Sequence, residues 1–265
     1  MRKAPDFSEQ YLMRTQGMPA RGPTSKLESG EVREAARSIT CLGLAFHILS
    51  YYEEDTNLNA RVKPLCGGKP RIILYSSRCI DDTLDALAST LSRILGAPLI
   101  DYTVECREDF SEDAIGFEEL TSRIGGLFRS SFYKPLAELS ATSREYFLVI
   151  GWNSEIAYGP GKEYEVSLPL IPAVIFAHTH PSPSCYPSSR DVASIADFLA
   201  QGGLAEFVVS RSCMSVARLV KPFSEDDYWR LKEVSDCIKN AEHDEDYLEC
   251  LNRVAQLDTV VFEIV

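Results

Sequence analysis

Apolar residues recur along this chain at two periods, one near 3.6 and one of 2, and they mark out helices and strands in turn. Ala35, Ile39, Leu42, Leu44, Phe46, Ile48 and Leu49 predict a mostly buried helix over Glu31 to Glu53. Glu54 to Gly68 reads as a loop, and Pro70 to Ser76 (PRIILYS) as a strand. Leu84, Leu87, Leu91 and Leu95 form one stripe on a helix from Asp81, closed by Gly96-Ala97-Pro98. A second strand over Leu99 to Cys106 completes a small strand–helix–strand unit, which could be parallel.

An acidic stretch after Glu105 leads into a short helix, Phe117 to Ile124, and Gly125-Gly126 reads as a break between domains. Leu127 to Leu139 predicts a helix interrupted near Pro135. Tyr146 to Trp152 (YFLVIGW) is a strong strand, with Asn153-Ser154 as its turn and Glu155 to Tyr158 as its return. Glu163 to Leu168 predicts another short strand. Glu206 to Ser210 and Ser215 to Val220 predict a pair joined across Arg211-Ser212-Cys213-Met214. Phe223 to Gln256 is a charged helical tail that opens on the capping run Ser224-Glu225-Asp226-Asp227, and Thr259 to Val265 is a closing strand.

These elements predict an α/β (α+β) chain in four parts. Residues 1–30, polar and aperiodic, read as a mobile arm. Residues 31–125 form a small α/β domain, 126–222 a second domain with a mixed sheet flanked by helices, and 223–265 a helical extension with the closing strand.

The stretch Ala173 to Gly203 (AVIFAHTHPSPSCYPSSRDVASIADFLAQGG) carries the chemistry. It reads as a strand ending in His178-Thr179-His180, a loop opened by Pro181, and a helix from Ser188 stopped by Gly202-Gly203. Residues two apart on a strand share a face, so His178 and His180 point the same way. Residues three apart on a helix are neighbours, so Ser188 and Asp191 share the first turn. Two imidazoles and one carboxylate around one point make a zinc set with the fourth position left for water, the catalytic arrangement. Ser188-x-x-Asp191 is equally a capping box, which requires no metal.

His178-Thr179-His180-Pro181, seven residues, then Ser188-x-x-Asp191 resembles the JAMM signature of the MPN-plus (JAB-domain) zinc metalloproteases, over roughly residues 130–220. That family includes deubiquitinating isopeptidases, prokaryotic JAB-domain enzymes and RadC-type proteins. The resemblance implies a JAB/MPN-like fold for 126–222 and one Zn2+ per chain, held by His178, His180 and Asp191, with Ser188 assisting. It implies hydrolysis of an amide or isopeptide bond, with a ubiquitin-like protein or its conjugate as substrate. The family's general base is a Glu ahead of the paired His at the start of a core strand. Glu145 in Arg144-Glu145-Tyr146-Phe147 holds that place, and Glu138 is the second choice. The interval from Glu145 to His178 is short beside that of many deubiquitinases, which points to a compact JAB-domain enzyme. A RadC-like or scaffold protein without peptidase activity is the alternative, and small-molecule hydrolysis a third reading.

Composition narrows the setting. The chain has 265 residues, 45% hydrophobic and 25% charged, and a net charge of −12. Acidic balance disfavours direct binding to nucleic-acid backbones. No apolar run approaches the roughly eighteen residues of a membrane span, and the start has no apolar core of a secretory signal, so a cytoplasmic location is expected. The eight Cys are scattered without a CxxC pair, which argues against a ribbon-type zinc site and predicts buried thiols rather than a disulfide scaffold. Cys185, between the expected ligands, is a candidate regulatory thiolate that could take the open zinc position. His243, within an acidic run, reads as a surface residue. Ser76-Ser77-Arg78, between a strand and a helix, lacks the glycines and the Lys of a phosphate loop.

Overall fold

The computed structural model describes residues 23–161 and 172–265. These residues form a mixed α/β structure in which two sheets are flanked by helices, as the periodicities predict. The chain runs α1 (Gly30–Thr56), β1 (Ala60–Leu65), β2 (Arg71–Ser76), α2 (Asp81–Ile94), β3 (Thr103–Arg107), α3 (Phe117–Ser131), α4 (Tyr133–Ser140), β4 (Tyr146–Gly151), β5 (Ile156–Pro160), β6 (Ala173–Thr179), α5 (Ser189–Ala200), β7 (Ala205–Val209), β8 (Met214–Leu219), α6 (Glu225–Lys239), α7 (Asp244–Asn252) and β9 (Val260–Ile264).

The smaller sheet has the order β1-β2-β3, with β1 antiparallel and β3 parallel to β2. The larger has the order β5-β4-β6-β7-β8-β9, and β9 closes it by pairing antiparallel with β8. Within it only β6 and β7 are parallel, and α5 makes the crossover between them. That connection sets the end of β6 beside the start of α5.

One cluster of buried apolar side chains extends from Leu27 to Val260 and draws on both sheets. α1 runs through it with fourteen buried residues, which explains its nearly unbroken apolar middle. Phe128 of α3 stacks on Phe207 of β7 at 3.8 Å between ring centroids. On the other side of the larger sheet, Phe198 of α5 packs with Phe147, Val149 and Phe176. α6 lies against α5, where Tyr228 bonds Asp197 and the Ser235 hydroxyl donates to Ser189 O.

Several expectations change. Residues 1–22 and the strand expected over 163–168 lie outside the described residues. The rest of the expected arm is ordered: Pro23–Glu28 is a 3-10 helix, Leu27 is buried, and the Ser29 hydroxyl caps α1. The loop expected over 54–68 contains β1, whose pattern was hidden because only Val62 points into the core. Gly125-Gly126, read as a break, lie inside α3, where an added Cβ would meet nothing within 4 Å. They border a cleft shared with Arg129, Arg218 and Glu263, so no packing demands a side chain there. The helix break falls at Phe132, and Pro135 sits in the first turn of α4, where its missing N–H costs nothing.

The cysteines depart furthest from the sequence reading. All eight are paired, as Cys41–Cys66, Cys79–Cys106, Cys185–Cys213 and Cys237–Cys250. Partners are separated by 13 to 28 residues in sequence. Such pairs belong to non-reducing compartments, with the intracellular proteins of hyperthermophiles as the exception. Among the described residues no helix is long and apolar enough to cross a membrane.

Candidate metal centre

The strand run Ala173–Thr179 is buried throughout, and its alternation delivers His178 to the face covered by α5. His178 registers with Phe147 of β4 on one side and Val208 of β7 on the other. His180 lies just past the strand, still tied to β7 by its N–H to Val209 O at 2.9 Å. Their Nε2 atoms stand 3.2 Å apart. Asp191 comes from the first turn of α5, with Oδ1 at 3.2 Å from His178 Nε2 and Oδ2 at 3.4 Å from His180 Nε2.

Two imidazole nitrogens facing each other at that distance must share a proton or a cation. Ligands at the 2.0–2.2 Å usual for zinc sit about 3.3–3.6 Å apart on the edges of a tetrahedron. The two imidazole nitrogens are 3.2 Å apart, close to that edge, and Asp191 turns a different oxygen to each, Oδ1 to His178 at 3.2 Å and Oδ2 to His180 at 3.4 Å; one ligand atom from each of the three residues lies within 4.8 Å of the others. His178, His180 and Asp191 together can hold such an ion.

The capping box predicted as the rival reading is also present. Ser188 N donates to Asp191 Oδ2 at 2.6 Å, and Asp191 N donates to Ser188 Oγ at 3.3 Å. The cap occupies one carboxylate oxygen and leaves Oδ1 toward His178. One acid therefore serves the helix start and the donor set together.

Electrostatics bind the group. Burial alone would raise Asp191, but His178 and His180 hold its carboxyl far below the usual carboxylate range. Burial would lower His180, yet Asp191, Glu145 and the Ser184 backbone raise it above an ordinary imidazole. Glu145 immediately precedes β4, two residues before the partner of His178. Half-buried, it is pushed above the ordinary carboxyl range by burial, while His178 and His180 pull it down and Asp191 pushes it up. The chain thus brings Glu145 within electrostatic reach of all three donors. Glu138, the second choice, instead pairs with Lys26 at 2.5 Å.

Cys185 does not carry the role expected of it. Its sulfur is bonded to Cys213, and the residue is fully buried, so no thiolate is present. The bridge fastens the loop after His180 to the β7–β8 turn, where the Ser212 hydroxyl donates to Pro183 O at 2.6 Å and that of Ser215 to Cys185 O at 2.8 Å. His243 is exposed, as read from the sequence.

Two neighbours went unnoticed in the sequence. Tyr247 of α7 donates to Pro187 O at 2.7 Å and stands across from Tyr186, so the C-terminal extension buttresses the loop. Burial, with Asp191 and Tyr186 adding to it, pushes its phenol well above the usual range. Glu206 lies wholly buried on β7, with Oε1 3.9 Å from His178 Nδ1. Its only signal was an acid inside an otherwise apolar five-residue strand. Burial, then Asp191, push its carboxyl well above the ordinary range, against the Ser194 hydroxyl; Asp197 adds to the rise. No protein-family model, curated protein or solved structure gives a significant match to the chain.

Proposed function

We propose that this chain is a zinc-dependent, JAMM-type metallopeptidase that hydrolyses an amide or isopeptide bond. The observation that supports it is the convergence of His178, His180 and Asp191 at zinc-like spacing, with Glu145 close by. Two nitrogens and one oxygen suit zinc among the common divalent ions, and three protein donors leave a position for solvent. The substrate class, a ubiquitin-like protein or its conjugate, rests on the sequence resemblance alone.

A bound zinc ion supplies a Lewis acid that acidifies water toward a pKa of about 7. The chain's own groups do the rest. Glu145, with its carboxyl raised by burial, takes the proton of the attacking water and returns it to the departing amine. Ser188, whose oxygen accepts Asp191 N–H, keeps its own hydroxyl proton free to donate to the oxyanion that develops. As to setting, four disulfides favour a non-reducing compartment over the cytoplasmic location expected from sequence.

The test combines metal analysis of purified protein with cleavage of ubiquitin-like fusions. Wild type should carry close to one zinc per chain and cleave. Glu145→Gln should keep the zinc and lose a factor of about 10²–10⁴ in turnover. A protein that takes up no zinc, or a Glu145→Gln variant as fast as wild type, ends this reading.

A further inference from the structure

Glu206 has no part in the mechanism above, yet its placement is costly. A carboxyl taken fully out of water is strongly disfavoured unless polar partners replace the water, and an apolar side chain of similar size would carry no such cost. Its partners are few. Oε2 meets only the Ser194 hydroxyl, at 3.5 Å, and Oε1 has no hydrogen-bond partner. His178 Nδ1 is likewise buried and without a partner, and these two orphaned atoms are 3.9 Å apart.

The elements explain why they face each other. β6 and β7 run parallel with Phe176 opposite Glu206 and His178 opposite Val208, so Glu206 lies one pleat behind His178 on the same face. α5 crosses that face and contributes Asp191 and Ser194, three residues apart and so on one side of the helix. Asp191 meets the Nε2 side of the His178 ring, while Ser194 meets Glu206 on the Nδ1 side. The imidazole is thereby held between two carboxyl groups, one at each nitrogen.

We propose that Glu206 is a positioning residue: it accepts the Nδ1–H of His178 and so fixes the tautomer whose Nε2 lone pair faces His180 and Asp191. At 3.9 Å the two atoms are beyond hydrogen-bond distance, and a side-chain rotation that brings them together would satisfy both. A metal-bound imidazole commonly leans on a carboxylate through its second nitrogen, which orients the ring and raises its basicity. This inference rests on the metal-site reading for its purpose, but the Glu206–His178 contact can be tested without metal.

The experiment uses the full chain in three forms: wild type, Glu206→Gln and Glu206→Leu. Long-range nitrogen–proton NMR spectra of the metal-free protein report the His178 tautomer. Zinc affinity is measured by competition with a chelator. Wild type should show His178 protonated at Nδ1. Glu206→Leu should show a mixture of tautomers and bind zinc about 10–100-fold more weakly. Glu206→Gln, which keeps an acceptor oxygen, should restore the tautomer and most of the affinity. A wild-type His178 that carries no proton at Nδ1 overturns the proposal even if no variant folds. So does an unchanged tautomer, or an unchanged zinc affinity, in folded Glu206→Leu. A wild type that binds no zinc but shows the Nδ1–H tautomer, lost in Glu206→Leu, would remove the hydrolase reading while upholding the contact.

Discussion

Ser188 and Asp191 each donate a backbone N–H to the other's side chain, at 2.6 Å from Ser188 and 3.3 Å from Asp191. Because Asp191 also faces both imidazoles, helix initiation and metal binding draw on one carboxylate, and substitutions should separate them. Ser188→Ala removes the cap acceptor and should cost about 1 kcal/mol of stability, leaving zinc affinity nearly unchanged. Asp191→Asn keeps an oxygen for Ser188 N–H and so spares the cap, but it removes the charge that faces both imidazoles, and zinc affinity should fall steeply. Urea denaturation with chelator present and zinc competition measure the two effects separately. Equal losses of zinc affinity in the two variants would show that the assignment of roles is wrong.

Gly43 sets how closely α1 approaches the larger sheet. A Cβ there would lie 2.7 Å from Val174 Cγ1 and 3.1 Å from Trp152 Cζ3. Ala is the better helix former by about 1 kcal/mol, but overpacking a filled core costs about 1–3 kcal/mol. Gly43→Ala should therefore be neutral to 2 kcal/mol less stable on this balance, about a few degrees in Tm. A stabilised variant would mean that the helix and sheet separate easily.

Much of the architecture was legible because its elements bury one face or both. β4 and β6 are apolar along nearly their whole length, and α5 carries Val192, Ile195, Ala196 and Leu199 at helical spacing. The donor triad was legible because the strand period puts His178 and His180 on one face and the strand–loop–helix order brings the first turn of α5, with Asp191, beside them. β1 was not, because Arg61, Lys63 and Pro64 on an outer strand look like loop residues. Nor was Glu206, whose partner is fixed by the β6–β7 register rather than by anything near it in sequence. Disulfide pairing was illegible because scattered cysteines meet only through tertiary contacts: Cys41 on α1 reaches Cys66 just beyond β1.

That pairing has a direct consequence. Native protein should resist alkylation, and all eight thiols should become reactive only after reduction and unfolding, as counted by intact mass. The Cys41–Cys66 bridge closes a separation of 25 residues. Loop-closure entropy assigns such a bridge about 3–4 kcal/mol, so Cys41→Ala with Cys66→Ala should lose that much in denaturant titrations. Alkylation of the untreated native chain, or a paired variant as stable as wild type, would contradict the assignment.

His47 should make stability depend on pH well away from the metal donors. Its Nε2 donates to Gly202 O at 2.9 Å, and its ring stands edge-on to Trp152 at 5.1 Å. Gly202 has φ near +90°, where a side chain would be strained, and it follows the end of α5, so the bond ties that end to α1. Burial lowers the imidazole from 6.5 to about 4, against a smaller opposing effect of the Gly202 bond. The folded state therefore prefers the neutral ring. Above pH 6.5 both folded and unfolded His47 are neutral and no stability is lost. As the pH falls from 6.5 toward 4, the unfolded chain takes up a proton that the folded chain refuses, and stability declines. At 1.36 kcal/mol per pKa unit the decline is about 2 kcal/mol by pH 5 and approaches 3 kcal/mol near pH 4. His47→Gln keeps a side-chain N–H for Gly202 O but cannot titrate in this range. Between pH 7 and 5, urea denaturation should show wild type losing about 2 kcal/mol more than His47→Gln. Changes at the other acids and histidines are common to both proteins and cancel in the difference. Parallel pH profiles would mean that His47 is protonated as readily in the folded chain as in the unfolded one.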